Sequence, residues 1–182
     1  MSKHLVWLRA DLRSIDNTAL TAACADPEAD IAAVYFITPE QWQQHHVAGC
    51  RIDFELRTLR QLSKQLAALN IPLLIVETAN FHSQVQALLD LCQQHLFSAV
   101  YFNKQYEINE LARDESVHQL LAQQQIDTFD FDDQCLVAPY KVLTGEGRFY
   151  SVFTPFKKTW LQCIYQQGVN IQAAPDKRQS LW

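Results

Sequence analysis

Three segments of the 182-residue chain place polar side chains where a plain strand or helix has no need of them. The first is Val6-Trp7-Leu8-Arg9-Ala10-Asp11-Leu12-Arg13, followed by Asp16-Asn17-Thr18-Ala19-Leu20. Arg9, Asp11 and Arg13 can meet a ligand, and equally can form an Arg-Asp network that fixes the loop and caps the helix after it. Asp16 and Asn17 are both good N-caps for the helix that follows. The second segment is Asn103-Lys104-Gln105-Tyr106-Glu107-Ile108-Asn109-Glu110. An amide, a cation, two carboxylates and a phenol in one turn can pair with a planar, nitrogen-rich ligand such as an amino-pyrimidine edge. Glu107 and Glu110 have a plainer use too, since carboxylates complement the positive start of a helix by about 0.3–1 kcal/mol each. The third is Tyr150-Ser151-Val152-Phe153-Thr154-Pro155-Phe156-Lys157-Lys158-Thr159-Trp160, which by its spacing alone is an amphipathic helix start.

Short runs rich in branched and aromatic residues set these segments in place. Residues 4–9, 31–38, 71–77, 98–102 and 126–131 read as strands. Helical spacing fills the intervals. Ile52, Phe54, Leu56, Leu59, Leu62, Leu66 and Leu69 mark one apolar face, closed by Asn70 and Pro72. Ser83-x-x-Gln86 reads as a capping box for a second helix with Val85, Leu88, Leu89 and Cys92 inward. A third helix starts near Asn109 and buries Leu111, Val117, Leu120 and Leu121, and a shorter one follows Asn17. Strands alternating with such helices imply right-handed β-α-β crossovers. The fold class is therefore α/β, a doubly wound, Rossmann-like five-stranded parallel sheet with helices on both faces, over residues 1–131. Both polar turns then lie at carboxyl ends of strands, where this architecture binds ligands. Residues 132–182 read as an interdomain segment with one helix over about 155–167, entered at Thr154-Pro155 and stopped at Gly168. Phe156, Trp160, Cys163 and Ile164 form its stripe, and VNIQAAPDKRQSLW reads as a loose tail. Left uncovered, the Phe156/Trp160 stripe would drive self-association.

Composition narrows the classes further. The net charge is -5, yet residues 140–182 carry six basic residues against two acidic ones, ordinary for a solvated face. Four glycines, about 2% against a usual 7% or so, leave no G-x-G-x-x-G and no phosphate loop, so a ligand is held by side chains and not by a glycine turn. The five cysteines form no C-x-x-C pair and read as free, buried thiols of a reducing compartment. The six histidines show no metal-ligand spacing. No run of about 18 apolar residues exists for a membrane helix, and charges interrupt the stretch where a secretion signal needs an apolar core. The location read from this is cytoplasmic.

V-W-L-R-A-D-L-R-S-I-D-N-T-A-L, N-K-Q-Y-E-I-N-E and Y-S-V-F-T-P-F-K-K-T-W together resemble the photolyase/cryptochrome family at its N-terminal antenna domain, in the family's order. Leu8 departs from the usual phenylalanine. The middle run is similar to the folate-binding, cyclobutane-pyrimidine-dimer photolyases of bacteria. The resemblance implies a light-harvesting pigment on this domain, methenyltetrahydrofolate, with Asn109 and Glu110 at its pterin edge and His45 beside it, His46 being the alternative. Arg9 and Asp11 come lower in that set, as loop-shaping residues next to the pigment. It implies no catalytic residue here. The catalytic FAD, the grip on damaged DNA and the light-driven carbon–carbon lyase activity belong to a following helical domain absent from this sequence, which reads as an inactive fragment holding the pigment weakly. The alternatives are the antenna domain of a cryptochrome-like photoreceptor and a stand-alone pigment- or nucleotide-binding module. Deazaflavin-binding relatives share the fold, so the pigment is open on sequence.

Overall fold

The computed structural model describes residues 2–179, and the closing Ser180-Leu181-Trp182 lies outside them. Strands β1 (Lys3–Leu8), β2 (Asp30–Ile37), β3 (Leu73–Glu77), β4 (Ala99–Asn103) and β5 (Asp127–Phe131) form one sheet in the order β3-β2-β1-β4-β5. All four pairings are parallel. Central β1 and β2 are apolar and buried almost throughout, as strands covered on both faces must be. The chain winds outward from β1 to β3, then crosses to β4 and winds the other way. The point of reversal lies between β1 and β4, where such sheets open a crevice at their carboxyl ends.

Alternation along the strands divides the core. Trp7, Val34, Phe36, Val100 and Phe102 face helices α4 (Phe81–His95) and α5 (Ile108–Gln123), meeting Leu88, Leu89, Cys92, Val117 and Leu121. Val6, Leu8, Ile31 and Ala33 face α1 (Thr18–Ala23) and α3 (Gly49–Ala68), through Ala19, Leu20, Ala23, Leu62 and Leu66. Asn17, of the two candidates, is the N-cap of α1, accepting from Leu20 N at 3.1 Å. The remaining helices are α2 (Pro39–Gln44) and α6 (Phe153–Gln167).

Several expectations need correction. Phe54 and Leu111, placed inward by spacing, are 66% and 48% exposed, because at 3.6 residues per turn each lies about 100° or more around its helix from the buried stripe. The box opening α4 is Asn80 with Ser83, one turn earlier than Ser83 with Gln86. Helix α2 has no counterpart in the sequence reading; it is six residues long and buries none of them, so it leaves no periodic apolar signal. Cys92 is buried and Cys24 largely so, and burial pushes their thiols up to about 12 and about 11, but Cys50 and Cys135 are exposed. Helix α6 starts two residues before Pro155, which still lies in the first turn, where a missing N–H costs no helical bond. Phe156, Trp160, Cys163 and Ile164 are half-covered, and the exposed apolar residues there are Val152, Phe153 and Tyr165.

The tail is irregular but not loose. Gln172 exchanges hydrogen bonds with Asp16, and Arg178 is buried at the far end of the same face. The Arg178 guanidinium donates to the carbonyls of Cys24 (3.1 Å), Asp26 (2.5 Å) and Ala29 (2.8 Å), closing the C-terminal end of α1. Its backbone is tied to Leu69 and Asn70. A cation at a helix C-terminus meets both the free carbonyls and the dipole. Arg178→Ala is therefore expected to lower the unfolding free energy by about 1–2 kcal/mol, read by urea titration. A change below about 0.3 kcal/mol would mean that water replaces the guanidinium at no cost.

Candidate functional site

The strands end on a charged floor. Arg9, the residue after β1, is buried, stacks 4.7 Å from both the Trp7 and Phe102 rings, and donates to both Asp114 oxygens at 2.7 and 2.8 Å. Another bond runs from Arg9 to the carbonyl of Asn103 at the end of β4. Arg113, buried on α5, shares Asp114 through Nε and Nη2 (3.0 and 2.8 Å) and lies 4.7 Å from the same Trp7 ring. Two cations thus pack against one indole and share one carboxylate, and burial pulls the Arg113 guanidinium below its ordinary value. Asp11 accepts from its neighbour Arg9 N at 2.8 Å and from Asn103 Nδ2 at 2.6 Å, so both its oxygens are engaged within the fold. Arg13 pairs with Asp133 at 2.5 Å.

Above this floor opens a cleft of about 390 Å³, a size suited to a small organic ligand. His45, just past the C-terminal end of α2, and Asn109 and Glu110, in the first turn of α5, all line it. Arg9 lines it too; Asp11 and His46 do not, Asp11 facing a separate small cavity beside Arg13. Residues 64 positions apart in the chain are thereby brought to one opening. His46 takes a left-handed backbone (φ 50°) that ends α2.

The sequence reading missed the inner wall. Tyr35 on β2 is 5% exposed, but its hydroxyl donates to Glu55 on α3, and both residues border the cleft. Burial pushes the Glu55 carboxyl up. Gln84 on α4 is 4% exposed, and its Oε1 is buried without a hydrogen-bond partner in that same wall. Such an orphan costs roughly 1–3 kcal/mol unless something satisfies it. Only the strand position of Tyr35, one turn of pleat from the carboxyl end of β2, hinted at this role. Gln105 and Glu107 of the Asn103–Glu110 run also line the cleft, Gln105 while accepting from Arg113 at 2.9 Å, whereas Tyr106 donates to Asp132 at 2.9 Å. The cleft lining comprises carboxylates at Glu110, Glu107 and Glu55, amides at Asn109 and Gln84, an imidazole at His45 and guanidiniums at Arg9, Arg51 and Arg113. Among the described residues no cluster of His, Cys, Asp or Glu could hold a metal ion, and no helix is long and apolar enough to cross a membrane.

The chain is thus a doubly wound α/β domain with a polar, glycine-free cleft at the carboxyl ends of its strands. A family model described as DNA photolyase matches residues 4–176. The chain belongs to the DNA photolyase family. It is 46% identical over 160 residues to a deoxyribodipyrimidine photo-lyase of Vibrio cholerae, covering 87% of this chain and 34% of that one. It is 41% identical to the same enzyme of Salmonella typhimurium, covering 99% of this chain and 38% of that one. The chain thus spans a little over a third of the length of these relatives. Among solved structures, a Synechocystis cryptochrome superposes with a TM-score of 0.82 at 21% identity, over 98% of this chain and 37% of that one, a likeness of fold.

Proposed function

We propose that this chain is the light-harvesting, chromophore-binding domain of a deoxyribodipyrimidine photolyase, with methenyltetrahydrofolate as its pigment. FAD and damaged DNA are assigned to the part of the relatives that this chain does not span, and no lyase activity to the chain alone. One observation carries the reading: His45, Asn109 and Glu110 converge on a single cleft at the carboxyl ends of the sheet. Identities of 41–46% to photo-lyases favour repair over signalling as the role of the whole.

In this reading Glu110 accepts from the amino-pyrimidine edge of the pterin, Asn109 both donates and accepts, and His45 covers the ring from the α2 side. Bound there, the folate supplies absorption of near-ultraviolet light, for transfer of excitation to a flavin. Mixing methenyltetrahydrofolate with the chain and following absorbance and fluorescence tests this. Saturable but weak binding is expected, because a cleft open on one side leaves part of the ligand in water. Glu110→Ala is expected to weaken it about 10- to 100-fold, the worth of a charge-assisted hydrogen bond of about 1.5–3 kcal/mol. Unchanged affinity would remove Glu110 from the site, and absence of saturation would remove the folate.

A further inference from the structure

Among the described residues of the cleft wall, two keep a buried polar atom without a hydrogen-bond partner, Arg9 at Nε and Gln84 at Oε1. The Arg9 guanidinium is otherwise committed. Its terminal nitrogens hold Asp114 and the carbonyl of Asn103, and it packs against the Trp7 and Phe102 rings. Gln84 is different. It sits near the start of α4, only 4% of the residue is exposed, and its spare atom is an acceptor. A leucine or methionine would fill the same space at no polar cost, whereas an amide oxygen hidden without a donor opposes folding.

The cleft is walled from both faces of the sheet. Glu110 stands on α5 and Gln84 on α4, which cover one face, and Glu55 stands on α3, which covers the other. A ring seated among them is approached from three helices. Two further oxygens of this wall already have donors. Glu55 accepts from the Tyr35 hydroxyl, and the Gln105 side-chain oxygen accepts from Arg113 at 2.9 Å. The buried oxygen left over is Gln84 Oε1.

We propose that Gln84 is a specificity-determining residue of the cleft, its Oε1 accepting from an N–H on the ring edge that Glu110 does not hold. The terminal torsion of a glutamine is broad, so the amide can turn toward the cleft without movement of α4. An acceptor on the ring would take the Gln84 nitrogen and leave the oxygen as buried as before; only a donor relieves it. The proposal rests on the pterin reading of the ring and adds a preference for its oxidation state. Beyond its amino-pyrimidine edge a pterin carries N8. That nitrogen bears a hydrogen in reduced rings, methenyltetrahydrofolate among them, and a lone pair in the oxidised ring. The cleft therefore selects reduced pterins over oxidised ones.

The probes are 7,8-dihydrofolate and folic acid, which share the amino-pyrimidine edge and differ at N8 and its neighbour C7. Binding is followed by quenching of tryptophan fluorescence, Trp42 being part of the cleft wall, and the stability of the ligand-free chain by urea unfolding. Wild type is expected to bind dihydrofolate about 10-fold more tightly, the scale of one hydrogen bond made in one complex and left unmade in the other. Gln84→Met and Gln84→Leu should shrink that preference below about 2-fold. By removing the orphaned oxygen they should also raise the urea midpoint, which the loss of a side chain serving only the fold would lower. Two replacements of different shape keep a poor fit of either one from deciding the result. Equal affinity in wild type, a preference that survives both substitutions, or a midpoint lowered in both overturns the proposal. If the two rings bind equally and both depend on Glu110, the Gln84 assignment fails and the ring site stands. If the preference follows Gln84 but Glu110→Ala changes nothing, the Gln84 assignment stands and that of Glu110 fails. If neither ring saturates, both fall.

Discussion

Replacing Asp114 with Ala is expected to cost about 3–5 kcal/mol of unfolding free energy, the loss seen when one partner of a buried charge network is removed. Asp114 is 6% exposed and is the carboxylate shared by the buried Arg9 and Arg113, whose guanidinium carbons both lie 4.7 Å from the Trp7 ring. Without it two desolvated cations lie side by side against one indole, with the carbonyl of Asn103 and the amide of Gln105 as their remaining acceptors. The indole face attracts each cation by about 0.5–2 kcal/mol, too little to replace the carboxylate. Urea unfolding at neutral pH measures the loss. Asp114→Asn keeps the shape and removes the charge, so it should recover no more than about half. A loss below 1 kcal/mol in both variants would mean that water reaches the guanidiniums and that the floor of the cleft is wet. Ligand affinity should fall along with stability, since Arg9 and Arg113 form part of the cleft wall.

That network marks where local reading of the sequence stops. Central β1 and β2 were legible because parallel strands covered on both faces must be continuously apolar, as Leu5–Leu8 and Ile31–Phe36 are. The buried stripe Leu59, Leu62 and Leu66 of α3 was legible for the equivalent helical reason. Phe54 was not, since it lies about 110° around α3 from that stripe and its apolar character alone put it inward. The motif residues were visible as polar residues at strand ends, but their destinations differ. Asn109 and Glu110 line the cleft, while Asn103 and Tyr106 of the same run are consumed inside the fold, and Gln105 lines the cleft with its carbonyl already taken by Arg113. Nothing in the spacing separates the two sets, because the partners that consume them, Asp11, Arg113 and Asp132, come from elsewhere in the chain. Arg178 looked like tail for the same reason: its three carbonyl acceptors lie some 150 residues earlier.

Asn103 carries the second large expected effect, because three parts of the fold meet on its side chain. Its Oδ1 accepts from Ala19 N at 3.0 Å, holding the first turn of α1, and its Nδ2 donates to Asp11 at 2.6 Å and to Asn17 Oδ1 at 2.9 Å. Asn17 is itself the N-cap of α1, so one amide ties β4, the loop after β1 and the helix start together. Asn103→Leu preserves volume but leaves the Ala19 N–H without an acceptor in a buried setting, and is expected to cost about 3 kcal/mol. Asn103→Asp separates hydrogen bonding from charge. The introduced carboxyl can still accept from Ala19 N, but as an anion it meets the Asp11 carboxylate at hydrogen-bond distance. A like charge so close raises the folded-state pKa of the introduced acid above its unfolded value. Its proton is therefore held more tightly when folded, and stability is lost as pH rises through the unfolded pKa near 4 toward the folded one. Relative to wild type, Asn103→Asp should thus be milder at pH 4 and worse by about 2–3 kcal/mol at pH 7, a shift of roughly two pKa units. A cost that does not vary with pH would show Asp11 neutralised from another side, and the amide of Asn103 would then act through shape alone.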